Sequence, residues 1–463
     1  MKSPGRFRLL ATLALATLIP GRSHAEVRKP NIIVIMADDL GWRDLHCYGN
    51  AHLDTPALDR LAAEGMRFTN AYAASPVCTP TRAAMMTGQS PARLRITNHA
   101  PGNPAGFSLP GSSLREADNI RHLPLEKITI AERLAAAGYA TAHIGKWHLS
   151  HRSRDDQGVS ELDLRPEKQG FALNIGGNSM GGPPSYFAPY QNPAMPDGKA
   201  GEYLPDRLAD DAISFIQKHK DVPFFLNWWP FSVHYPMQAR PETITKYRQR
   251  TSIKDPVYAA MIEDMDSSIG RFLTALDTAG LRQNTLVLFK SDNGGYNGDN
   301  RPLRGIKGML YEGGIRIPWI VRWPGKVQPG STNATPVISM DCYPTLLDIA
   351  ALPPTPDHPL DGQSLLPLLT KSLGFSRDSL CFHYPNYAFH KENRLGSAIR
   401  EGNFKLLRFS DDNSLELYNL DSDIGEQNNL APTSPDLANR LAAKLDTWLK
   451  ARGAQFPTKS ATQ

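Results

Sequence analysis

Four stretches of this 463-residue chain, three of them apolar runs and one a short strand-like segment, turn abruptly polar at their ends. Ile32 to Met36 runs into Asp38-Asp39, "YATAHIG" into Lys146 and His148, "PFFLNWWPFSV" into His234, and "NTLVLF" into Asp292-Asn293. A strand with one wet face alternates apolar and polar residues. An unbroken run implies burial on both faces, as in a parallel sheet covered by helices. Helix signals fall between the runs. Thr55-Pro56 offers an N-cap and a first-turn proline, and Gly65 a stop. Thr129 and Glu132 are spaced as a capping box before "RLAAAG", which ends at Gly138. Met261, Met265, Ile269, Phe272 and Leu276 recur at helical spacing and predict a core-facing helix over about 257–279. The expected fold is α/β, a large mixed, mostly parallel sheet sandwiched by helices. After about residue 370 the pattern changes. "DSLCFHY", "SAIREGNFKLLRF" and "SLELYNL" predict a smaller antiparallel sheet, and Ser434-Pro435 opens a terminal helix carrying Leu437, Leu441, Leu445 and Leu449. These features divide the chain into a large domain, 26–370, and a smaller C-terminal α+β subdomain, 371–463, without a flexible linker.

The formal charge of +5 suggests an acidic partner until the N-terminus is considered. Lys2, Arg6 and Arg8 precede an apolar run from Leu9 to Ile19, and Ser23-His24-Ala25 is a small-x-small cleavage site. This predicts a signal peptide over residues 1–25, too short to span a bilayer. Its removal lowers Lys+Arg from 51 to 47 against 46 acids, leaving +1 and no electrostatic case for nucleic acid or an anionic membrane. The expected product is exported, periplasmic or secreted, with no membrane span. Four cysteines in an exported chain allow two disulfides in three pairings, but a chain this long does not need them.

In open α/β sheets ligands bind beyond the carboxyl ends of the strands, where all four polar clusters fall. Asp38, Asp39, Asp292 and Asn293 offer only hard oxygens, a set that selects Ca²⁺ or Mg²⁺ over zinc or copper. A turn accounts for Asp-Asn-Gly-Gly and a helix start for Asp-Asp just as readily; the metal reading gains from both clusters following matching strands. In "SPVCTPTRAAMMTG", Pro80 suits a first helical turn, which sets Cys78 at a positive helix end with Arg82 one turn in. A soft thiol is ill matched to a hard cation. The mismatch disappears if residue 78 does not work as a thiol.

"CTPTRAAMMTG" resembles the signature of type I sulfatases, C-x-P-x-R followed by a short helix and Thr-Gly, and "GYATAHIGKWHL" resembles their second signature. The similarity continues through "MADDLGWRDLHCYGN", "HYP" at 234–236, "FKSDNGG", "LRGIKGMLYEGGIRIP" and "LYNLDSDIGEQNNLA", in order along nearly the whole mature chain. The resemblance implies that a formylglycine-generating enzyme, guided by Pro80 and Arg82, oxidises Cys78 to formylglycine, whose hydrate is a geminal diol. It further implies that Asp38, Asp39, Asp292, Asn293 and the modified Cys78 hold Ca²⁺, with Mg²⁺ as the alternative. Lys146 and Lys307 would neutralise sulfate oxygens, Arg82 would steady the diol, His234 would protonate the departing alcohol, and His148 would take the proton of the second hydroxyl. Without the resemblance, Lys307 reads equally as a solvated loop lysine and His234 as a core histidine.

The substrate expected is a sulfated saccharide. Tyr186, Phe187, Tyr190 and Tyr203 in one segment, and Tyr384, Tyr387, His390, Lys391 and Arg394 in another, are candidates to flank the pocket, or else pack long loops onto the sheet. A small aryl or alkyl sulfate, a phosphate or phosphonate ester, and a non-catalytic binding role remain alternatives.

Overall fold

A computed structural model describes residues 28–151 and 159–460, with Met1 and Gly5. The expected signal peptide lies outside the described residues, apart from those two. The main sheet has eight strands: β1 Asn31–Ala37, β2 Met66–Phe68, β3 Ala140–Gly145, β4 Leu173–Ile175, β5 Phe224–Trp229, β6 Thr285–Ser291, β7 Trp319–Arg322 and β8 Ser331–Asn333. Their order is β8-β2-β7-β6-β1-β5-β3-β4. All neighbours are parallel except β7, which runs against both β2 and β6.

Each apolar run is a central strand, and alternate residues serve opposite cores. Ile33 and Ile35 of β1, with Val287 and Phe289 of β6, pack beneath helices α1 (Pro56–Ala63), α4 (Leu204–Lys218) and α5 (Pro256–Thr278). Ile32, Val34 and Met36, with Leu286 and Leu288, face α2 (Cys78–Thr87), α3 (Ile130–Ala136) and α6 (Cys342–Ile349). The capping box forms as the sequence implies: Thr129 Oγ1 accepts the Glu132 N–H, and Glu132 returns a carboxylate oxygen to the Thr129 N–H. Among the described residues no helix is long and apolar enough to cross a membrane.

The second sheet is antiparallel: β9 Leu380–Tyr384, β10 Gly396–Glu401, β11 Phe404–Phe409 and β12 Leu415–Asn419. One face packs Cys381, Ile399, Leu406 and Leu417 against Leu441, Leu445 and Leu449 of the terminal helix α7 (Pro435–Ala451). The other lays Phe382, Ala398 and Leu407 onto Val77 and Ala84 at α2 and Leu310 and Ile315 of the 303–318 loop. At this junction Lys405, wholly buried, is held between Glu312 and Glu426, each 2.9 Å away. All four cysteines are free thiols, as expected of a chain whose core is large enough without cross-links.

Gly145, last residue of β3, has φ of 103°, and a Cβ there would lie 2.0 Å from the Trp229 carbonyl oxygen. The same oxygen accepts the Lys146 N–H at 2.8 Å, so this close approach aims the next side chain off the sheet end. Gly145→Ala is expected to lose roughly 3 kcal/mol of stability from backbone strain and overpacking, measurable by denaturant titration.

Candidate active site

The carboxyl ends of β1, β3, β5 and β6 converge on one buried cluster. β1 delivers Asp38 and Asp39. Asp39 adopts φ of 63°, uncommon for a non-glycine residue, and its N–H meets Asp292 Oδ1 at 3.1 Å across the neighbouring strand end. Lys146 Nζ donates to Asp38 Oδ2 at 2.6 Å. Arg82 places Nε and Nη2 on Asp292 Oδ2 at 3.0 and 2.7 Å and Nη1 on the Lys146 carbonyl at 3.0 Å. Lys307 Nζ bridges both oxygens of Asp39 at 2.6 and 2.8 Å. Asn293 Nδ2 donates to Asp39 Oδ1 at 2.8 Å, and His234 Nε2 lies 3.8 Å from Asp39 Oδ2. Of the ten residues singled out from sequence, the structure joins eight in this ionic network; Cys78 and His148 border it.

Helix α2 shows why its motif has these residues. Thr81 Oγ1 donates to the Ser75 carbonyl and accepts the Ser75 N–H, both at 3.1 Å, tying off the preceding turn. Thr79 Oγ1 donates to the His148 carbonyl at 3.1 Å and accepts the Ala100 N–H at 2.9 Å. Cys78 sits at the first position, 2% exposed, and burial raises its thiol pKa although Lys146 and Lys307 oppose the rise. An unmodified Cys78 is therefore a protonated thiol at neutral pH, poor both as nucleophile and as metal ligand.

The acceptors are arranged for a cation. One oxygen each of Asp38 and Asp39 and the Cys78 side chain lie within 4.8 Å of one another. Asp38 Oδ1 and Asn293 Oδ1 are buried acceptors with no hydrogen-bond donor, which a bound divalent ion would satisfy. Asp292 stands one hydrogen bond away, both oxygens already engaged. The donors fit a hard divalent ion. Burial raises Asp38 to about 8 against the pull of Lys146. Burial also disfavours charge on Asp39, but Lys307, His234 and Lys146 outweigh it and hold that carboxyl well below its usual range.

The two histidines differ in kind. His148, with φ of 58°, is almost wholly buried; its Nε2 lies 2.6 Å from the Ala100 carbonyl and therefore carries the proton, while Nδ1 has no partner. Burial, then Lys146, lowers its pKa well below normal, leaving a neutral ring with a free lone pair. His234 directs Nδ1 to the Tyr235 carbonyl at 3.0 Å, leaving Nε2 toward Asp39. Burial, then Lys146 and Lys307, lowers it to about 3.

The two loop segments correct the sequence reading. Tyr186, Tyr190, Tyr203, Tyr384 and Tyr387 are buried, so they are packing residues and offer no open ring face. Tyr186 Oη instead donates to the Phe231 and His234 carbonyls, holding the turn that carries His234. Phe187 stacks on Tyr203 at 4.8 Å, and Arg394 is engaged by Asp411 and Asp412. Lys391 is exposed. His383 is fixed by Ser397 and Gln455, whereas His390 Nε2 donates to the Lys307 carbonyl at 2.7 Å and so supports a site lysine. Thr79, Ala100 and Asn178, whose carbonyl accepts the His148 N–H at 2.9 Å, were not legible as site residues, because their roles arise from contacts far apart in sequence.

Comparison with known proteins shows the family. The Sulfatase family profile matches residues 30–352, and an N-sulphoglucosamine sulphohydrolase C-terminal profile matches 306–452. The chain belongs to the sulfatase family, and is a sulfuric ester hydrolase. It is 32% identical to a sulfatase of Formosa agariphila over 91% of this chain and 89% of that one. With human arylsulfatase A it shares 36% identity over 82% of this chain and 75% of the relative. The crystal structure of Ps i-CgsB superposes with a TM-score of 0.77 at 28% identity, covering 93% of this chain and 95% of the other.

Arg82 is wholly buried and donates from three nitrogens of a rigid planar fork, a spread that the single nitrogen of a lysine cannot reproduce. Arg82→Lys is expected to destabilise the protein by about 3 kcal/mol in chemical denaturation, because it leaves Asp292 and the Lys146 carbonyl underpaired.

Proposed function

We propose that the chain is an exported sulfatase that hydrolyses sulfate monoesters of saccharides, with Cys78 converted to formylglycine by a separate oxidising enzyme. The observation that carries this reading is the pairing at one buried point of a residue 78 unsuited to act as a thiol with three cations and two acceptor oxygens, Asp38 Oδ1 and Asn293 Oδ1, that receive no hydrogen bond. Similar proteins point the same way: N-acetylgalactosamine-6-sulfatase of Canis lupus familiaris at 34% identity, and Ps i-CgsB in complex with k-i-k-neocarrahexaose at 27%.

In the proposed reaction Lys146 and Lys307 bind the sulfate oxygens, and their charge offsets the negative charge that builds during transfer. One hydroxyl of the residue 78 hydrate gives its proton to water and its oxygen attacks sulfur. The bond from sulfur to the substrate's alcohol oxygen breaks, and His234 supplies that oxygen with a proton. The anionic ester favours the imidazolium form of His234 that burial and the two lysines suppress in its absence. His148 Nδ1 then takes the proton of the second hydroxyl; the aldehyde C=O reforms as the bond to the sulfate oxygen breaks, and water restores the hydrate. Arg82 positions Asp292 and the Lys146 backbone. Asp38, Asp39, Asp292, Asn293 and the residue 78 hydrate would hold one Ca²⁺, or alternatively Mg²⁺. When bound, such an ion favours the ionised form of a hydroxyl beside it.

Three measurements test this reading. Protein exported from its native host should show an aldehyde at residue 78 by peptide mass spectrometry, and should release sulfate from saccharide sulfates faster than phosphate from matched phosphate esters. A uniformly intact thiol in active enzyme, or faster phosphate release, contradicts the proposal. Separately, Ca²⁺ at 100 times its dissociation constant should stabilise chelator-treated protein by about 2.7 kcal/mol, seen as a raised melting temperature. Asp38→Ala should lose that rise; stabilisation by zinc alone would overturn the assignment.

A further inference from the structure

While the tyrosines of the two long loops are buried, another set of rings stands open beside the site. Tyr235 and Phe389 are each 48% exposed. Among the described phenylalanine, tyrosine and tryptophan rings Phe456 is the one other so open, and it packs on His383 near the chain end. Tyr235 and Phe389 belong to a continuous arc. Tyr235 meets Tyr296 with centroids 6.3 Å apart at 66°, Tyr296 meets Phe389 at 5.2 Å and 76°, and Phe389 meets His99 at 5.9 Å and 80°. Every contact is edge-to-face, the arrangement ring quadrupoles favour, so each ring fixes the tilt of the next.

The four rings come from four segments, and the catalytic groups lie against them. Tyr235 follows His234 directly, and Tyr296 lies three residues beyond Asn293. Lys307 Nζ sits 5.4 Å from the Phe389 ring centroid. Lys307, Lys146 and Asp39 all act on the charge of His99, whose pKa is lowered, by burial first, to about 4. Rings half open to solvent beside a strongly charged cluster leave apolar area that the fold itself does not cover. They suit a substrate with an anionic group for the pocket and a ring behind it.

We propose that the arc Tyr235–Tyr296–Phe389–His99 is the platform on which the pyranose ring bearing the scissile sulfate lies; this rests on the saccharide sulfatase reading above. A pyranose joins an apolar C–H face to a rim of hydroxyls, and the arc has counterparts for both. Tyr235 Oη donates to Asn297 Oδ1 at 3.3 Å, which brings an amide to one end. At the other end His99 commits Nδ1 to Asn98 Oδ1 at 3.0 Å, so that Nε2 is the nitrogen available to a hydroxyl. A plain aryl ester needs neither polar end.

The test uses full-length enzyme, with matched modification at residue 78, in the Phe389→Ala, Tyr235→Ala and Phe389→Tyr variants. Rates of sulfate release are compared for methyl pyranoside monosulfates, 4-nitrophenyl sulfate and an acyclic alkyl sulfate. The ratio of kcat/KM for the preferred pyranoside to that for the acyclic ester should fall about tenfold in each alanine variant, chiefly through KM, and Phe389→Tyr should restore most of it. An unchanged ratio overturns the inference, as does a loss confined to the aryl ester. An equal loss on all three substrates also overturns it, since that reports damage to Lys307 or His234. If the parent enzyme, fully modified, hydrolyses no sulfate ester at all, the sulfatase reading itself fails.

Discussion

Three carboxylates can share the buried end of this sheet only because three cations are buried with them. Asp38, Asp39 and Asp292 sit at the ends of two adjacent strands, too close to remain ionised together out of water. Arg82, Lys146 and Lys307 each pair with one of them, and each arrives from a different part of the chain. A divalent ion added to those pairs leaves the site positive overall, the sign required to draw an anionic ester out of water. The same cations thus hold the strand ends together, and in the proposed reaction two of them, Lys146 and Lys307, would also meet the sulfate. Losing any one exposes its carboxylate partner to the full cost of an unpaired buried charge.

The backbone enforces the convergence. Asp39 and His148 both occupy left-handed conformations at strand ends, and Gly145 allows two strands to approach closely enough to launch Lys146. Such conformations are costly for non-glycine residues and persist where surrounding contacts over-determine them. Here the Asp39 N–H is held by Asp292, and the His148 N–H by the Asn178 carbonyl.

The parts legible in the sequence were those that local chemistry determines. Unbroken apolar runs marked β1, β3, β5 and β6 because burial on both faces leaves no polar alternation, and Thr129 with Glu132 marked α3 because a capping box needs only four residues. The antiparallel β7 and the short edge strands β4 and β8 carry no such signal; their place is set by partners far along the chain. Within the site, the acidic clusters, lysines and histidines could be listed by type, but their pairing could not. Aromatic content left two readings open. Tyr186, Tyr190 and Tyr203 could line a pocket or pack a loop, and the structure shows the second: Tyr186 and Tyr203 spend their rings on the core and their hydroxyls on backbone carbonyls. Composition does not distinguish a ring that packs a loop from one that faces solvent.

The seating of Cys78 carries a consequence for the order of events in the life of the chain. Helix α2 is buried along its whole length, roofed by the second sheet and by the 303–318 loop. That loop is in turn pinned from the C-terminal side, by His390 on the Lys307 carbonyl and by Glu426 on the Glu312 N–H at 2.7 Å. Residue 78 emerges from the ribosome early, yet the walls that enclose it are completed by residues that emerge last. Any enzyme that alters this side chain must therefore work on a nascent or unfolded polypeptide. The interval open to it closes when the final strands dock, so faster folding would shorten the time available for maturation.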